Sequence, residues 1–460
     1  MHRLTRRTWI VWMFLLILLG GMVFFLWEYV TQAAQWASFT GSPHIYRGAY
    51  LESGTITDRS GQVLMDFQDG RSYAADAATR KSTLHWLGDR NRNIRSTVVS
   101  SYAAPMSGFD LVNGLYAHTQ FREEGQAVLT LSAAVQNTAM AALGGRKGTV
   151  GVYNYKTGEI LCAVTSPSFD PDNPPNIGSD TSGKYEGIYL NRFIQGTYPP
   201  GSIFKVVTTA AALDTVPDIL DQTFTCTGTY EYGIDKVTCE KAHGKVTLKT
   251  ALAHSCNCAF AQIANQVGKV NMDRYVKKFQ VTEPLSFDGF TTAAGNYNVS
   301  SAAPVELAWS GIGQYTDLVN PCRYMAFMGA IAGGGQGAEP YIVSHVTSGD
   351  RETYRAQTRN SPRIMSEENA RILQDFMYND VKTIYGSGNF SGFQKVCGKS
   401  GTSQLGGDLT SNAMFSGFIL DEAYPLAFVA VVENAGYGSA NCVPVLSKVL
   451  SSCKQVMDQE

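Results

Sequence analysis

The feature that most constrains this chain is an uncharged apolar run near its N-terminus. The run covers nineteen residues, from Trp9 to Trp27, which is about the length that the hydrocarbon core of a bilayer requires. Few soluble folds contain an uninterrupted run of this kind. We therefore predict a transmembrane helix over residues 9–30, preceded by a short tail of residues 1–8.

The charges around this run predict its orientation. Arginines precede it, so the positive-inside rule keeps residues 1–8 in the cytoplasm and places everything after Tyr29 outside. A cleaved signal peptide is the alternative, but the run is too long for one and no clean small-x-small cleavage site follows. The sequence therefore predicts a single-pass protein of the cytoplasmic membrane, with its N-terminus inside and its main domain extracytoplasmic. The arginines are Arg3, Arg6 and Arg7.

Length and charge limit what the rest of the chain does. The 460 residues are enough for two or three domains, and a net charge of -2 provides no electrostatic footprint for nucleic acid. Predicted strands at residues 149–165 and 396–433 enclose a helical stretch, with a long helix over residues 303–332; this is typical of an α+β sheet built from distant segments. We expect a small α+β domain over residues 31–140 and a larger domain over residues 141–460.

A serine and a lysine stand one helical turn apart where the central helix begins. Residues 199–201 are Pro-Pro-Gly, which cannot continue a helix, whereas residues 202–213 are typical of a buried one. Ser202 and Lys205 then share a face, as a nucleophile and a candidate base. The alternative is that Ser202 is only an N-cap. The same spacing recurs at Ser451–Lys454, so the pattern alone does not decide.

Two further patterns accompany Ser-x-x-Lys in serine acylases, namely Ser-x-Asn and Lys-Thr-Gly or its serine variant. Ser255–Asn257 is favoured for the first, because it interrupts a helix where short polar side chains project into a cleft. Lys399–Thr402 is favoured for the second, because it opens a strand in which Gly401 allows close approach of a ligand backbone. In this order, the three patterns predict an acyl-transfer site.

Each short pattern also has decoys. Lys156–Gly158 precedes the serine and lies in a predicted hairpin turn. Ser387–Asn389 lies in a glycine-rich loop, which favours a plain loop with at most a place on the rim of the site, and Ser439–Asn441 is a third Ser-x-Asn. His254 precedes Ser255, but neighbours on a helix do not face each other and no G-x-S-x-G elbow is present, so we reject a Ser-His-Asp triad.

Cysteines add two expectations. The chain has nine, an odd number for an exported protein. Cys226 and Cys239 flank a short Gly/Tyr-rich loop and are the pair we predict to form a disulfide. Cys256 and Cys258 resemble half a metal site, but no second Cys/His pair stands at ligand spacing. The sequence therefore predicts no metal ion.

The three patterns together resemble the active-site boxes of the penicillin-binding proteins. The resemblance covers about residues 127–450. With one membrane span, no glycosyltransferase domain and the segment Gly54–Gly61, the chain is similar to small class B members of the penicillin-binding protein A type. Further matching segments are Thr130–Gln136, Lys156–Leu161, Thr165–Pro171 and Asn191–Arg192.

This resemblance implies a fold and an activity. The fold is a penicillin-binding, serine β-lactamase-like transpeptidase domain, an antiparallel sheet flanked by helices with a helical subdomain. The activity is D,D-transpeptidation of peptidoglycan stem peptides ending in D-Ala-D-Ala, without a cofactor, and β-lactams acylate the same serine. In the family the segment before this domain is described as a dimerisation domain, and a membrane glycan polymerase of the shape, elongation, division and sporulation class is the expected partner.

The resemblance also assigns roles to residues. Ser202 is the nucleophile, Lys205 accepts its proton, and Ser255 relays a proton to the leaving amine. Asn257 holds Lys205 or the substrate amide. Lys399, with Ser400, Gly401 and Thr402, binds the terminal carboxylate of the substrate. The backbone N–H groups of Ser202 and Thr402 form the oxyanion hole.

The chain departs from the usual family pattern at three places and leaves two alternatives open. Ile312–Tyr315 and Asn320–Arg323 replace the more usual Gly-Gln-Gly and Thr-Pro-Leu-Gln, and Cys256 fills the variable position of the middle box. A membrane-anchored β-lactamase or carboxypeptidase shares the boxes, and a scaffold of the division or elongation machinery is an alternative from another class. The sequence does not distinguish a role in division, elongation or sporulation.

Overall fold

The structure is a computed structural model that describes residues 2–39, 42, 46–47, 50–51, 54–67, 70–107, 109, 111, 114, 125–404 and 410–459. Its helices are α1 (His2–Ala37), α2 (Ala77–Leu87), α3 (Val98–Met106), α4 (Ala133–Leu143), α5 (Arg192–Gln195), α6 (Lys205–Thr215), α7 (Leu248–Ala253), α8 (Asn257–Val267), α9 (Lys269–Lys278), α10 (Pro304–Ser310), α11 (Pro321–Ala332), α12 (Glu367–Asp380) and α13 (Gly438–Met457).

The strands of the described part are β1 (Tyr46–Arg47), β2 (Tyr50–Leu51), β3 (Thr55–Thr57), β4 (Val63–Asp66), β5 (Ser72–Tyr73), β6 (Gly125–Leu129), β7 (Gly148–Asn154), β8 (Ile160–Ser166), β9 (Thr223–Cys226), β10 (Thr229–Tyr232), β11 (Asp235–Thr238), β12 (Gly244–Thr247), β13 (Ser286–Phe287), β14 (Phe290–Thr291), β15 (Val343–Ser348), β16 (Arg351–Arg355), β17 (Val396–Ser403), β18 (Asn412–Ile419) and β19 (Leu426–Val432).

A five-stranded antiparallel sheet forms the centre of the larger domain. Its order is β17-β18-β19-β7-β8, so strands from both ends of this half of the chain lie side by side. All residues of β7, β8, β18 and β19 are buried, because α4 and α13 cover one face and α11 the other. The predicted α+β fold is confirmed, and β17 lies at an edge of the sheet.

The helical region between β8 and β17 is built around α6. Every residue from Lys205 to Ala212 is buried, and α8, α9 and α12 pack against this helix. The predicted helix over residues 303–332 is instead two helices, α10 and α11. The chain turns between them because Gly313 adopts a left-handed φ of +79°, and Asn320 then caps α11, whose first residue is Pro321.

A second sheet has the order β16-β15-β6-β3-β4-β5. Its first three strands in sequence come from the N-terminal part, whereas β15 and β16 come from residues 343–355. Residues 58–61 form a turn between β3 and β4: Asp58 Oδ1 accepts hydrogen bonds from the backbone N–H groups of Ser60 and Gln62. The division into residues 1–8, 9–30, 31–140 and 141–460 stays a prediction.

Helix α1 contains the apolar run. Its segment Arg7–Ala37 is long and apolar enough to cross a membrane, and its most apolar window buries none of its residues against the rest of the chain. A helix that exposes such a surface requires an apolar environment. The helix is therefore a candidate membrane anchor.

Candidate active site

The first turn of the central helix carries Ser202. The turn is a 3₁₀ helix over Gly201–Phe204 that continues into α6. Gly201 has a left-handed φ of +55°, and a Cβ there would lie 2.5 Å from the carbonyl oxygen of Thr402. Glycine is therefore required for the turn to contact strand β17 this closely. No side-chain cap hydrogen bond occurs at the start of either helix, so the N-cap alternative for Ser202 is wrong.

Two hydrogen bonds to backbone groups of this turn, one from the turn's own N–H and one from a tyrosine hydroxyl, hold it on the side opposite β17. The N–H of Gly201 donates to the carbonyl oxygen of Gly313 at 2.8 Å, and the hydroxyl of Tyr324 donates to the carbonyl oxygen of Ile203 at 2.7 Å. Gly313 belongs to one of the two segments in which the sequence departs from the usual family pattern. In this structure that segment therefore supports the turn that carries Ser202.

The amine of Lys205 lies at the centre of the site. Lys205 Nζ contacts Ser202 Oγ at 2.9 Å, Ser255 Oγ at 3.0 Å, Ser255 O at 2.8 Å and Asn257 Oδ1 at 2.6 Å. An ammonium has three hydrogens and a neutral amine has two hydrogens and one lone pair, so these four contacts share at most three directed hydrogen bonds. Lys205 is fully buried, and burial lowers its pKa well below the usual value; the charge of Lys399 lowers this pKa further.

Ser255 and Asn257 lie in a tight turn between α7 and α8. Ser255 has a φ of +53°, a left-handed conformation that costs a non-glycine residue about 1–2 kcal/mol. The Asn257 side chain is oriented from its other end, because Asn257 Nδ2 donates to the carbonyl oxygen of Thr238 at 2.8 Å. The predicted break of the helix is present, and strain of this kind is typical of functional sites.

Strand β17 forms the opposite wall. Lys399 is fully buried, and its Nζ donates to the Tyr385 hydroxyl and to Ser400 O, both at 3.1 Å. The N–H of Ser400 points off the sheet, toward the Tyr385 hydroxyl at 3.1 Å. Since N–H directions alternate along a strand, the N–H of Thr402 points to the same free edge. The Thr402 Oγ1 accepts a hydrogen bond from Gly438 N at 3.2 Å.

The sequence analysis did not identify Tyr385. This residue ends a π-helix over Val381–Tyr385, and π-helical turns often occur at functional sites. Its hydroxyl contacts Lys399 and lies 2.9 Å from Ser400 Oγ, while its ring packs edge-on against Phe415. No residue pattern marks a single tyrosine of this kind, because the contact depends on the fold of a loop that looks featureless in sequence.

Asp380 is a second residue that the sequence did not indicate. It is fully buried, and neither carboxyl oxygen has a hydrogen-bond partner among the described residues. Burial raises its pKa to about 7, and Lys399 opposes that rise. A carboxyl group near Lys399 therefore exchanges its proton close to neutral pH.

Among the described residues, none of the decoy patterns contacts Lys205 Nζ. Lys156–Gly158 is a turn between β7 and β8, held by Asn154 Oδ1, which accepts hydrogen bonds from the backbone of Lys156 and Thr157. Ser387–Phe390 is a short 3₁₀ helix, and Ser439–Asn441 lies within α13. His254 stacks on His243, whereas Ser255 Oγ contacts Lys205.

The predicted disulfide between Cys226 and Cys239 is wrong, because both cysteines are free. Cys226 ends β9, which pairs with β12, and Cys239 follows β11, which pairs with β10. The sulfurs of Cys226 and Cys239 lie within 4.8 Å of each other but are not bonded. Cys226 Sγ faces His243 Nδ1 at 3.5 Å, and Cys239 Sγ faces Cys256 Sγ at 3.8 Å.

Comparison with known proteins agrees with this geometry. The family model described as penicillin binding protein transpeptidase domain matches residues 148–451. Peptidoglycan D,D-transpeptidase PbpA of Mycobacterium tuberculosis is 28% identical over 67% of this chain and 67% of its own length. Stage V sporulation protein D of Bacillus subtilis is 27% identical over 65% of this chain. The chain spans about half of that relative, 47% of its length.

Solved structures show the same fold. Penicillin-binding protein A from M. tuberculosis, in its penicillin G acyl-enzyme complex, superposes with a TM-score of 0.76 at 24% identity, covering 88% of this chain and 100% of that one. The penicillin-binding protein PBP2 of Helicobacter pylori, solved in complex with MreC, has a TM-score of 0.62 at 20% identity, covering 72% of this chain and 64% of that one. Because the family model matches well over half of its residues, this chain belongs to the penicillin-binding protein transpeptidase family.

Proposed function

We propose that this chain is a membrane-anchored peptidoglycan D,D-transpeptidase that works through an acyl-enzyme on Ser202. One observation carries the proposal: the fully buried amine of Lys205, whose pKa is lowered, lies 2.9 Å from Ser202 Oγ. A neutral amine at this distance accepts a proton from the hydroxyl. Relatives named peptidoglycan D,D-transpeptidase, 28% identical to this chain, support the same activity.

In the acylation step, Ser202 Oγ attacks the carbonyl carbon of the penultimate D-Ala while Lys205 Nζ takes the hydroxyl proton. The backbone N–H groups of Ser202 and Thr402 stabilise the oxyanion, an effect of about 3–4 kcal/mol per donor. The tetrahedral intermediate then breaks its C–N bond, and the proton on Lys205 passes through Ser255 Oγ, 3.0 Å away, to the departing amine. Free D-Ala leaves.

In the second step, the amine of another stem peptide attacks the ester carbonyl. Its proton returns through the same hydroxyl and amine, the C–O bond to Ser202 breaks, and the new amide crosslinks two strands. The acyl group passes from one amine to another with no net redox change, so the exchange requires no redox cofactor. Lys399 and Thr402, on the edge strand, bind the carboxylate of the donor, and Ser400 and Gly401 line its path. Asn257 holds the amine of Lys205.

The partners follow from the same assignment. β-Lactams share the carbonyl chemistry of the donor and acylate Ser202. Helix α1 holds the enzyme on the outer face of the cytoplasmic membrane, with residues 1–8 inside. We extend the proposal to a membrane glycan polymerase as the source of strands, and to residues 31–140 as a pedestal that forms a homodimer.

The test is intact mass of the full-length chain in detergent after incubation with benzylpenicillin. A single stable adduct that is absent from Ser202→Ala supports the proposal. Ser451→Ala is the matched control, because Ser451 belongs to the other Ser-x-x-Lys pattern, and we expect it to keep the adduct. No adduct on folded protein, with penicillin unconsumed, would favour a scaffold, and rapid consumption of penicillin would favour a β-lactamase.

A second measurement separates transpeptidase from carboxypeptidase. The chain is given a synthetic stem pentapeptide ending in D-Ala-D-Ala together with a large excess of a D-amino acid as acceptor. A transpeptidase forms the exchanged peptide in preference to the hydrolysed tetrapeptide. Hydrolysed tetrapeptide alone would contradict the transpeptidase assignment and leave the acyl-enzyme intact.

A further inference from the structure

Four side chains with soft donor atoms converge beside the middle box of the candidate active site. They are Cys226, Cys239, His243 and Cys256, and their ligand atoms all lie within 4.8 Å of one another. Cys226 and Cys256 are buried, whereas Cys239 and His243 are half-buried. Cys239 and His243 lie four residues apart in the loop between β11 and β12, whereas Cys226 ends β9 and Cys256 precedes α8, so only the fold brings all four together.

Two of the distances between these ligand atoms match the edges of a coordination tetrahedron. Zinc bonds of about 2.3 Å to sulfur and 2.0–2.1 Å to nitrogen separate two sulfurs by about 3.8 Å, and a sulfur and a nitrogen by about 3.6 Å. Cys239 Sγ and Cys256 Sγ are 3.8 Å apart. Cys226 Sγ and His243 Nδ1 are 3.5 Å apart. Both edges are therefore of the length that a shared tetrahedral ion requires.

Backbone amides surround two of the sulfurs as outer-shell partners. The N–H of Cys258 donates to Cys239 Sγ at 3.3 Å, and the N–H of Ala259 donates to Cys256 Sγ at 3.4 Å. Both amides belong to the first turn of α8, whose exposed N–H groups favour negative charge. Donors of this kind stabilise thiolates and orient them toward a metal. Cys256 also caps the N-terminus of α8 through the hydrogen bond from Ala259.

A disulfide between Cys239 and Cys256 is the competing explanation. Its S–S bond would be about 2.05 Å long, so the sulfurs would have to approach from 3.8 Å. Such a disulfide would also leave the contact between Cys226 and His243 unexplained. A single ion gives all four groups a common role.

We propose that Cys226, Cys239, His243 and Cys256 bind one Zn²⁺ ion. Three sulfurs and one imidazole complete its coordination, so no position stays open for water or substrate, and the ion is structural. It takes no part in bond making at Ser202. Its binding requires that the three thiols lose their protons, and these protons are released to solvent.

The ion would hold the middle box from both sides. Cys256 lies between Ser255 and Asn257, which contact Lys205 Nζ. Cys239 directly follows Thr238, whose carbonyl oxygen accepts a hydrogen bond from Asn257. Zinc bound to both cysteines therefore fixes the two segments that orient Asn257, and it opposes relaxation of the left-handed backbone at Ser255. This second consequence rests on the proposed acylation chemistry, whereas metal binding itself does not.

The experiment measures the metal content of the purified full-length chain by inductively coupled plasma mass spectrometry. We expect about one zinc per chain, lost in His243→Ala and retained in His243→Cys, which restores a fourth thiolate. Cys453→Ala is the control for loss of a buried cysteine outside the cluster and keeps its zinc. Replacement by Co²⁺ in the wild-type chain produces the intense visible absorption of tetrahedral cobalt bound to thiolate.

Two outcomes would overturn the proposal. One is a chain that carries no zinc, takes up none from ZnCl₂, and still forms its benzylpenicillin adduct. The other is a mass two hydrogens lower in the isolated chain, with the Cys239–Cys256 link found after proteolysis. Removal of zinc by a chelator is expected to slow acylation by about 10-fold, with recovery on ZnCl₂ but not MgCl₂. Unchanged acylation of the zinc-free chain would reject the positioning role and leave the proposed function untouched.

Discussion

The same Ser-x-x-Lys spacing occurs at the start of α6 and near the end of α13, with different surroundings. At α6, Lys205 is fully buried and its Nζ lies 2.9 Å from Ser202 Oγ. At α13, the hydroxyl of Ser451 donates to Ser447 O at 2.9 Å, within its own helix. Lys454 keeps 29% of its side chain exposed and pairs with Asp458 at 3.3 Å. Only the first pair places a serine hydroxyl beside a fully buried amine.

The two lysines also differ in the direction of their pKa shifts. Burial lowers the pKa of Lys205, and the charge of Lys399 adds to this effect. The pKa of Lys454 is raised, first by its hydrogen bond with Tyr424 and then by Asp458. A base needs the neutral amine at working pH. The comparison therefore teaches that desolvation and partner charges, rather than spacing, make a lysine a base.

Replacement of each lysine is expected to separate the pairs most strongly. Lys205→Ala removes the proton acceptor and should slow acylation by benzylpenicillin about 1,000-fold, within the range of general base catalysis. Lys454→Ala should change the rate less than about twofold, because its surface ion pair contributes little. Both rates are measured by quenching the acylation reaction at set times and recording the intact mass of the protein. Similar losses in the two variants would contradict the comparison.

The pH dependence should follow Lys205 and not Lys454. Since the lowered pKa leaves Lys205 charged only at lower pH, the acylation rate should rise with pH, up to about tenfold per unit, and level off well below 10.5. Lys399→Met removes a positive charge near Lys205, so the rise of the acylation rate should move to higher pH. Lys454→Met should leave the position of this rise unchanged. Acylation rates across pH check both positions.

Stability should change with pH in the same sense. A lysine with a lowered pKa in the folded state binds fewer protons there than in the unfolded chain. The contribution of Lys205 to the free energy of unfolding therefore rises with pH from its folded pKa up to the unfolded value near 10.5. Lys205→Met should flatten the melting temperature over this window. A melting temperature that falls there in wild type only would contradict the sign.

A tyrosine hydroxyl contacts a lysine in each region, which provides a smaller and matched test. Tyr385→Phe removes the acceptor from buried Lys399 and should slow acylation about tenfold, since a hydrogen bond to a charged group contributes about 1.5 kcal/mol or more. Tyr424→Phe removes the contact with Lys454 and should leave the rate unchanged. An equal acylation rate in both variants would show that the Tyr385 hydroxyl has no role in acylation.

The smallest effect is expected from the second serine. Ser451→Ala removes a hydroxyl that is exposed and bonded only within its helix. Its free energy of unfolding should stay within about 0.5 kcal/mol of wild type, and its acylation rate should not change. Chemical denaturation provides the first value and penicillin labelling the second. A penicillin adduct found at Ser451 would reverse the assignment of the two pairs.

Much of the fold and several parts of the candidate site were accessible from the sequence. The apolar run and the strands at both ends of the larger domain follow from periodicity and length, which depend on neighbouring residues. The helical start near Ser202 follows from the prolines that precede it, although the structure forms a 3₁₀ turn over Gly201–Phe204 before α6 begins at Lys205. The break at Ser255 is equally local. These features were predicted because steric limits and hydrophobic patterning act over a few residues.

Other features depended on where distant segments meet. The helix predicted over residues 303–332 divides in two, and the contact of Tyr385 with Lys399 arises from a loop without a recognisable pattern. Cys226 and Cys239 lie close together but are not bonded as predicted, because a short loop between two cysteines does not specify the directions of their side chains. Each of these features depends on packing between segments that are far apart in the chain.

By itself the sequence determined the apolar N-terminal helix, the α+β class and the order of the three boxes, since each depends on contiguous residues. Only the tertiary structure decided which Ser-x-x-Lys pair has a buried amine, which tyrosine contacts Lys399, and that Cys226, Cys239, His243 and Cys256 come together. The reason is physical: desolvation and coordination depend on atoms that approach through space, and spacing along the chain does not specify that approach.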